Sequence, residues 1–222
     1  MSPGPSSTRG AGDEASAVVY VVDDDEALRL GLDYLLRSVG LQVETFASSR
    51  EFLAFPKRDV PSCLVLDVRL QGESGLSFQE ALTKTGVRMP IVFMTGHGDI
   101  EMSVRAMKAG ALDFLTKPFR DQDLLDAVTQ ALARDTERLT VDRSIAALRS
   151  AFDSLTPREQ TVMGFVVAGL LNKQIAAQMN LSEITVKVHR GQAMKKMAAR
   201  SVADLVRMAK ALGVKPCQDK SA

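Results

Sequence analysis

The residues Cys63-Leu64-Val65-Leu66-Asp67 form the most informative segment of this 222-residue chain. Their apolar side chains follow one another without interruption, which is typical of a strand covered on both faces in a parallel sheet. The segment from Val68 to Gly75 turns polar, so Asp67 is predicted to lie at the carboxyl end of a buried strand. Open α/β sheets bind their ligands at that end. An ionised carboxylate beside a dry core is costly without compensation. We therefore expect other residues of the chain to meet Asp67 at this end of the strand.

Further apolar runs alternate with helical patterns on either side of this segment. In the intervening segments apolar residues recur at intervals of three and four, as on the buried face of a helix. This alternation predicts a doubly wound, five-stranded parallel sheet of the α/β class, with its last helix over Asp121–Ala133. The other four strands are predicted at Ala17–Val22, Val43–Phe46, Pro90–Met94 and Ala111–Leu115.

Polar residues follow the predicted strands at the points where the strands end. They are Asp23, Asp24, Asp67, Thr95 and Lys117. Because the carboxyl ends of parallel strands meet at one edge of the sheet, we expect these side chains to lie close together. Three carboxylates there repel one another, which favours a shared divalent cation or a raised pKa. All-oxygen ligands suit Mg²⁺, and together with a lysine and a hydroxyl they predict phosphoryl transfer onto a carboxylate.

Charge is distributed unevenly along the chain, although the formal net charge is only +1. From Ser150 onward there are 11 Lys and Arg and 5 Asp and Glu, a charge of +6, whereas the preceding residues carry −5. A basic C-terminal part favours contact with a polyanion, and solvated surface charge explains it about equally well. Two cysteines and the lack of an apolar run long enough for a bilayer predict a cytoplasmic protein without membrane association.

Three segments outside the compact domains are predicted from their composition. Residues 1–16 are rich in Pro, Gly and Ser and are expected to be a disordered tail, and residues 216–222 form a second tail. Residues 134–154 are charged, lack strand signals and space their apolar residues as a helical linker does. Pairing of this linker with a second copy as a short coiled coil is one interpretation, although the segment is brief.

The segment Thr156-Pro157-Arg158-Glu159 has the form of a capping box with proline at the first helical position. Two helices joined by a tight turn at Asn180-Leu181, followed in the same unit by basic residues, match helix-turn-helix architecture. The sequence therefore predicts a small all-α, four-helix domain after the linker. Its helices are predicted up to Ala168, at Lys173–Met179 with Asn172 as cap, from Ser182 to about Ala198, and at Val202–Leu212.

The helix after Ser182 is predicted to have two faces. Val186, Ala193 and Met197 turn inward together with either His189 or Arg190, and His189 is expected to be structural or phosphate-facing rather than a metal ligand. The opposite side is the candidate for the major groove. The residues on it are Lys187, Val188, Gly191, Gln192 and Lys195. The residues placed to meet phosphates are Lys173, Thr185, Arg190 and Lys196.

Residues 17–133 resemble a two-component receiver domain in the polar residues that follow the strands. The resemblance implies that Asp67 accepts a phosphoryl group from a sensor histidine kinase. It implies that Asp24 and Asp67 ligate Mg²⁺ directly, that Asp23 reaches the ion through water, and that the backbone carbonyl of Arg69 is a further ligand. The switch residues that it implies are Lys117, which pairs with the phosphate, and Thr95 and Phe114, which move in response.

Residues 155–215 resemble the LuxR-type DNA-binding domain in the run L-T-P-R-E-Q, N-K-Q-I-A-A-Q-M, T-V-K-V-H-R and M-K-K-M. Attached to a receiver, this domain is identified as that of a response regulator of the FixJ/NarL class. Gly191 departs from the longer side chains common at its position, which removes a possible base contact. The resemblance implies a transcription regulator that binds double-stranded DNA and dimerises on phosphorylation, with RNA polymerase as a further partner that such a function allows.

Two other functions fit part of the same pattern. A Mg²⁺-dependent phosphohydrolase could use Asp67 as a transient nucleophile, but the haloacid-dehalogenase type places a second Asp two residues later, where this chain has Arg69. A regulator that uses the receiver only for dimerisation would bind DNA with an affinity that phosphorylation leaves unchanged. The chain is expected not to be an enzyme, beyond phosphorylating itself from small donors and slowly losing the phosphate.

Overall fold

The computed structural model describes residues 17–70, 73–96, 100–214 and 217, so the predicted tails lie almost entirely outside the described residues. Five strands form one parallel sheet in the order β2-β1-β3-β6-β7, and β4 and β5 form a small antiparallel pair. This is the doubly wound sheet that the sequence predicts. The strands are β1 (Val18–Val22), β2 (Gln42–Phe46), β3 (Ser62–Asp67), β4 (Arg69–Leu70), β5 (Glu73–Ser74), β6 (Ile91–Thr95) and β7 (Asp113–Thr116).

The helices of the described residues follow the predicted order, with one difference at the end of the sheet domain. There, the predicted last helix and the predicted linker are a single helix, α5, because no residue between 121 and 153 breaks the helical hydrogen bonding. The helices are α1 (Glu26–Ser38), α2 (Ser49–Ala54), α3 (Gly75–Thr85), α4 (Ile100–Lys108), α5 (Asp121–Asp153), α6 (Pro157–Val167), α7 (Asn172–Met179), α8 (Glu183–Lys196) and α9 (Val202–Ala211).

Strand β3 lies in the middle of the sheet, between β1 and β6. Its successive side chains point to opposite faces, so Leu64 and Leu66 enter one apolar cluster and Cys63 and Val65 enter another. Helix residues such as Phe78 cover the first face. Both faces are therefore buried, which explains why β3 is apolar from Cys63 to Leu66.

The last four helices pack around one core of their own. The predicted capping box is present, because Thr156 and Glu159 each bond to the other's backbone amide. Ser182 caps α8 as predicted, but Asn172 is not the cap of α7. Leu171 occupies that position, and its amide donates to the side chain of Gln174 instead.

The contacts divide the chain into two compact units, Met1–Leu139 and Thr140–Ala222. The division falls within the predicted linker. Asp135, which lies in that linker, is buried and accepts a hydrogen bond from the backbone amide of Ser62 at the start of β3. None of the helices that the structure describes is both long and apolar enough to cross a membrane.

Candidate functional site

The three aspartates at the strand ends lie together at one edge of the sheet. Asp23 follows β1 and Asp67 ends β3, and these neighbouring strands are in register with Val22 opposite Leu66. Asp23 is fully buried, Asp67 is 8% exposed and Asp24 is half-buried. One carboxylate oxygen from each residue lies within 4.8 Å of the other two. The sheet thus brings together three carboxyl groups that are up to 44 positions apart in the sequence.

Lys117, in the loop after β7, reaches this acidic cluster. Its Nζ lies 2.7 Å from Oδ2 of Asp23 and 2.7 Å from Oδ2 of Asp67. The peptide bond between Lys117 and Pro118 is cis. One cation is therefore shared by two carboxylates, which offsets part of their mutual repulsion.

Burial changes the pKa values within the cluster. The pKa of Asp23 is raised, because burial disfavours its charged form more strongly than the hydrogen bond from Lys117 favours it. Burial alone would lower the pKa of Lys117, but its hydrogen bonds to Asp23 and Asp67 outweigh that effect and raise it. Lys117 is consequently a cation at neutral pH.

Backbone amides hold the two carboxylates that Lys117 contacts. The amide of Asp25 donates to Oδ1 of Asp23 over 2.8 Å, and the amide of Arg69 donates to Oδ1 of Asp67 over 2.9 Å. Each carboxylate oxygen retains a second lone pair for a further partner. The acidic cluster is thus fixed in position without being saturated.

The donor set of this cluster fits Mg²⁺. All three side chains offer oxygen atoms, which this ion prefers, and a site with few protein ligands leaves room for the waters that Mg²⁺ retains. Three carboxylates face one lysine, so a divalent cation would balance the remaining negative charge. The residues present therefore agree with a magnesium site.

Thr95 and Phe114 lie on β6 and β7, the two strands that follow β3 across the sheet. Thr95 ends β6 with 1% of its surface exposed, and its carbonyl accepts a hydrogen bond from the amide of Lys117 over 2.6 Å. Phe114 is half-buried, and its ring centroid lies 6.4 Å from that of Phe93. In the sheet, β6 borders β3, the strand that ends at Asp67, and β7 borders β6.

Two residues at this edge were missed by the sequence analysis. Arg29 on α1 donates from Nη1 to the backbone carbonyl of Asp23 over 2.6 Å. Gly75 starts α3 so close to β3 that a Cβ atom there would lie 2.4 Å from the carbonyl oxygen of Asp67. A glycine after a polar loop was visible in the sequence, but its approach to Asp67 depends on how α3 packs.

The second unit presents a basic helix whose outer side chains are exposed. Val186, Ala193 and Met197 are buried, as predicted for the inner face of α8, and both His189 and Arg190 are half-buried. The candidate DNA-binding residues found exposed are Lys173, Lys187, Val188, Gly191, Gln192 and Lys195. The predicted base-reading residues therefore share one accessible face.

The other predicted phosphate contacts make hydrogen bonds within the unit. Arg190 donates to the side chain of Asn172 over 2.9 Å, and the hydroxyl of Thr185 lies 2.8 Å from that of Ser182. Lys196 binds the carboxylate of the buried Glu159 over 2.7 Å. The bonds of Arg190 and Lys196 position α8 against α7 and α6, a role that side-chain charge alone did not indicate.

Replacement of Glu159 by Gln is expected to destabilise the second unit at pH 7 but not in acid. Hydrogen bonds from Lys196 and then from the amide of Thr156 lower the pKa of Glu159. A carboxyl group with a lowered folded-state pKa stabilises the fold above its unfolded pKa, about 4.3, and this stabilisation is lost as the pH falls through the folded-state value. Glutamine retains the capping box, so the variant isolates the ion pair.

Hydrogen exchange of the α6 and α8 amides, measured from neutral pH downward through the acid range, checks this expectation. The wild type should be more protected than the Glu159→Gln variant at neutral pH, and the difference should shrink as the pH falls. Equal protection of the two proteins at every pH would show that the Glu159–Lys196 ion pair contributes nothing.

Comparisons with known proteins cover both units. The family model described as response regulator receiver domain matches residues 19–129, and the one described as bacterial regulatory proteins, luxR family, matches residues 153–209. Nodulation protein W of Bradyrhizobium diazoefficiens is 57% identical over 93% of this chain and 92% of that protein. Response regulator protein TmoT of Ectopseudomonas mendocina is 47% identical over 90% of each chain.

The solved structure of the response regulator StyR has a TM-score of 0.79 and 49% identity, over 88% of this chain and 98% of that one. The chain therefore belongs to the response regulators that join a receiver domain to a LuxR-type DNA-binding domain and regulate transcription.

Proposed function

We propose that Asp67 is the phosphoacceptor and that a sensor histidine kinase is the donor. The observation that carries this proposal is the bond of Lys117 to both Asp67 and Asp23, which places a cation beside a carboxylate at the accessible edge of the sheet. An oxygen of Asp67 attacks the phosphorus of a phosphohistidine, an O–P bond forms as the P–N bond breaks, and the histidine leaves. Lys117 then pairs with the transferred phosphoryl oxygens.

Mg²⁺ would be held by Asp24 and Asp67, by Asp23 through water, and by the backbone carbonyl of Arg69. When bound, the ion supplies positive charge that screens the carboxylates from the incoming phosphoryl group. The amides of Asp25 and Arg69 keep the two buried carboxylates oriented for this role. The protein acts as a phosphoryl acceptor and not as a turnover enzyme, because Arg69 occupies the position at which a phosphohydrolase of the haloacid-dehalogenase type carries its acid/base aspartate.

A groove beside Lys117 offers a place for the donor to bind. Its volume is about 720 Å³, and its lining includes Leu28 and Tyr34 of α1 and Phe119 of the loop after β7. The side chain of Tyr34 is 80% exposed. A protein that delivers a phosphoryl group to Asp67 has to cover this edge, and an exposed aromatic side chain there suits a protein contact.

Replacement of Tyr34 by Ser is expected to slow phosphoryl transfer from a sensor kinase about tenfold, as truncating an interface tyrosine commonly does. Phosphorylation by acetyl phosphate should be unchanged, because this small donor does not need the groove. The measurement is the rate of transfer from a kinase that phosphorylates the wild type. Leu53→Ser, which truncates an exposed side chain on α2 outside the groove, is the control. Equal rates for all three proteins would exclude the groove as the docking site.

Phosphorylation is proposed to favour an arrangement of Thr95 and Phe114 that changes the surface formed by α4 and the segment up to Phe119. Val104 and Met107 on α4 are 45% and 48% exposed, which supports a protein contact there. Pairing of two receivers through this surface would align two DNA-binding domains on a two-fold pair of half-sites. RNA polymerase is a further proposed partner. A cytoplasmic location is also proposed, because the protein would act on DNA and its two cysteines are free rather than paired in a disulfide.

The proposed function is tested by selecting bound sequences from random duplex DNA with and without acetyl phosphate. Sequence-specific binding that strengthens on phosphorylation, together with a shift from monomer to dimer in sedimentation, is the expected result. An affinity that phosphorylation leaves unchanged would instead favour the phosphate-independent regulator. Steady turnover of a phosphate ester would favour the phosphohydrolase.

A further inference from the structure

The first turn of α8 carries an apolar side chain that does not pack into the core of the unit. Ile184 is its second residue and is 78% exposed. Val188, one turn further on, is 56% exposed. Residues four positions apart lie on the same face of a helix, so these two side chains form one apolar ridge. The core is made instead by Val186, which is fully buried.

This ridge continues the face that carries the predicted base contacts. Gly191 lies seven positions after Ile184, on the same face, and a Cβ built on it would meet no heavy atom of the described residues within 4 Å. The exposed side chains of Lys187 and Lys195 flank the ridge. The ridge and its lysines suit a partner whose surface is negatively charged and whose groove displays apolar groups: the lysines would meet the charge, and the ridge would meet the apolar groups.

The major groove of DNA is such a surface. Its floor displays one apolar group, the C5-methyl of thymine, and the N-terminal residues of a helix-turn-helix recognition helix contact base edges there. Ile184 belongs to the first turn of α8, whereas the hydroxyl of Thr185 is engaged with Ser182 at the helix cap. Ile184 therefore offers an exposed apolar side chain at the end of α8 that contacts base edges in this motif.

We propose that Ile184 is a specificity-determining residue that contacts the methyl group of a thymine in each half-site. The proposal rests on the proposed DNA-binding function and deepens it. A branched apolar side chain here favours T·A over the other base pairs at one position. The open space at Gly191 leaves room for the base edge beside the Ile184–Val188 ridge.

The test uses duplex DNA selected from random sequence by the wild-type protein. Each thymine is replaced singly by deoxyuracil, which removes only the methyl group, and binding is measured by fluorescence anisotropy. At one thymine per half-site, the wild type should bind about fivefold more weakly, the change expected for one methyl group lost from an apolar contact. The Ile184→Ala variant should bind thymine and uracil duplexes equally at that position. Val206→Ala, on α9, should behave as the wild type does.

The possible outcomes distinguish a failure of the Ile184 proposal from a failure of the DNA-binding function. If uracil is tolerated everywhere by the wild type, or if Ile184→Ala shows the same loss as the wild type, the inference is wrong although DNA binding stands. If no sequence is enriched by the wild type, both the DNA-binding function and the inference are wrong. Loss of folding does not confuse the result, because alanine is a better helix former than isoleucine at an exposed position.

Discussion

The Asp67→Asn variant is expected to incorporate no phosphate from acetyl phosphate and to bind DNA with an affinity that acetyl phosphate does not change. An amide oxygen is a far weaker nucleophile than a carboxylate, and it carries no charge to hold Mg²⁺ or to pair with Lys117. Asparagine has nearly the same shape as aspartate, so the bond from the amide of Arg69 can persist and the fold should be kept. Separation of the phosphorylated form on a phosphate-affinity gel measures the effect.

Asp25→Asn is the matched control for this variant. Asp25 lies two residues from Asp23 and accepts hydrogen bonds from the amides of Ala27 and Leu28 as the cap of α1. Asparagine caps helices as well as aspartate does, so this variant removes a neighbouring carboxylate without loosening α1. It should take up phosphate as the wild type does. Phosphate uptake by Asp67→Asn, or phosphorylation-dependent dimerisation of that variant, would place the switch elsewhere.

The Gly75→Ala variant is expected to destabilise the receiver by about 1–3 kcal/mol, the usual effect of forcing extra atoms into a packed site. The added Cβ would lie 2.4 Å from the carbonyl oxygen of Asp67 and 3.0 Å from Cα of Val68. Both atoms belong to the backbone and cannot move aside as a side chain would. The end of β3 must shift, so the affinity for Mg²⁺ should fall together with the stability.

The positions of the tyrosines allow the stability of the receiver to be measured separately from that of the second unit. The chain contains no Trp and two Tyr, Tyr20 and Tyr34, and both lie in the first unit. Tyrosine fluorescence during urea unfolding therefore reports on the receiver alone. Gly31→Ala is the control, because Gly31 lies within α1 and a Cβ there would contact nothing among the described residues. That change should stabilise the receiver by up to about 1 kcal/mol. Equal stability of Gly75→Ala and the wild type would disprove the close approach.

The sequence by itself determined the architecture of the first unit and the residues that meet at one edge of its sheet. Uninterrupted apolar runs require strands buried on both faces, and parallel strands bring their carboxyl ends to one edge. The convergence of Asp23, Asp67 and Lys117 follows from those two rules, and the structure shows it. The capping box at Thr156 was equally predictable, because its partners lie only three residues apart.

The tertiary structure alone decided which atoms meet where one element packs against another. Arg29 on the carbonyl of Asp23, Gly75 against Asp67, and Lys196 on Glu159 each depend on how one helix packs against its neighbour. Periodicity tells which face of a helix is buried but not which atom meets it. A lysine on a basic helix therefore has the same sequence pattern whether it binds a phosphate or a buried carboxylate, because only packing decides whether an internal partner comes within hydrogen-bonding distance.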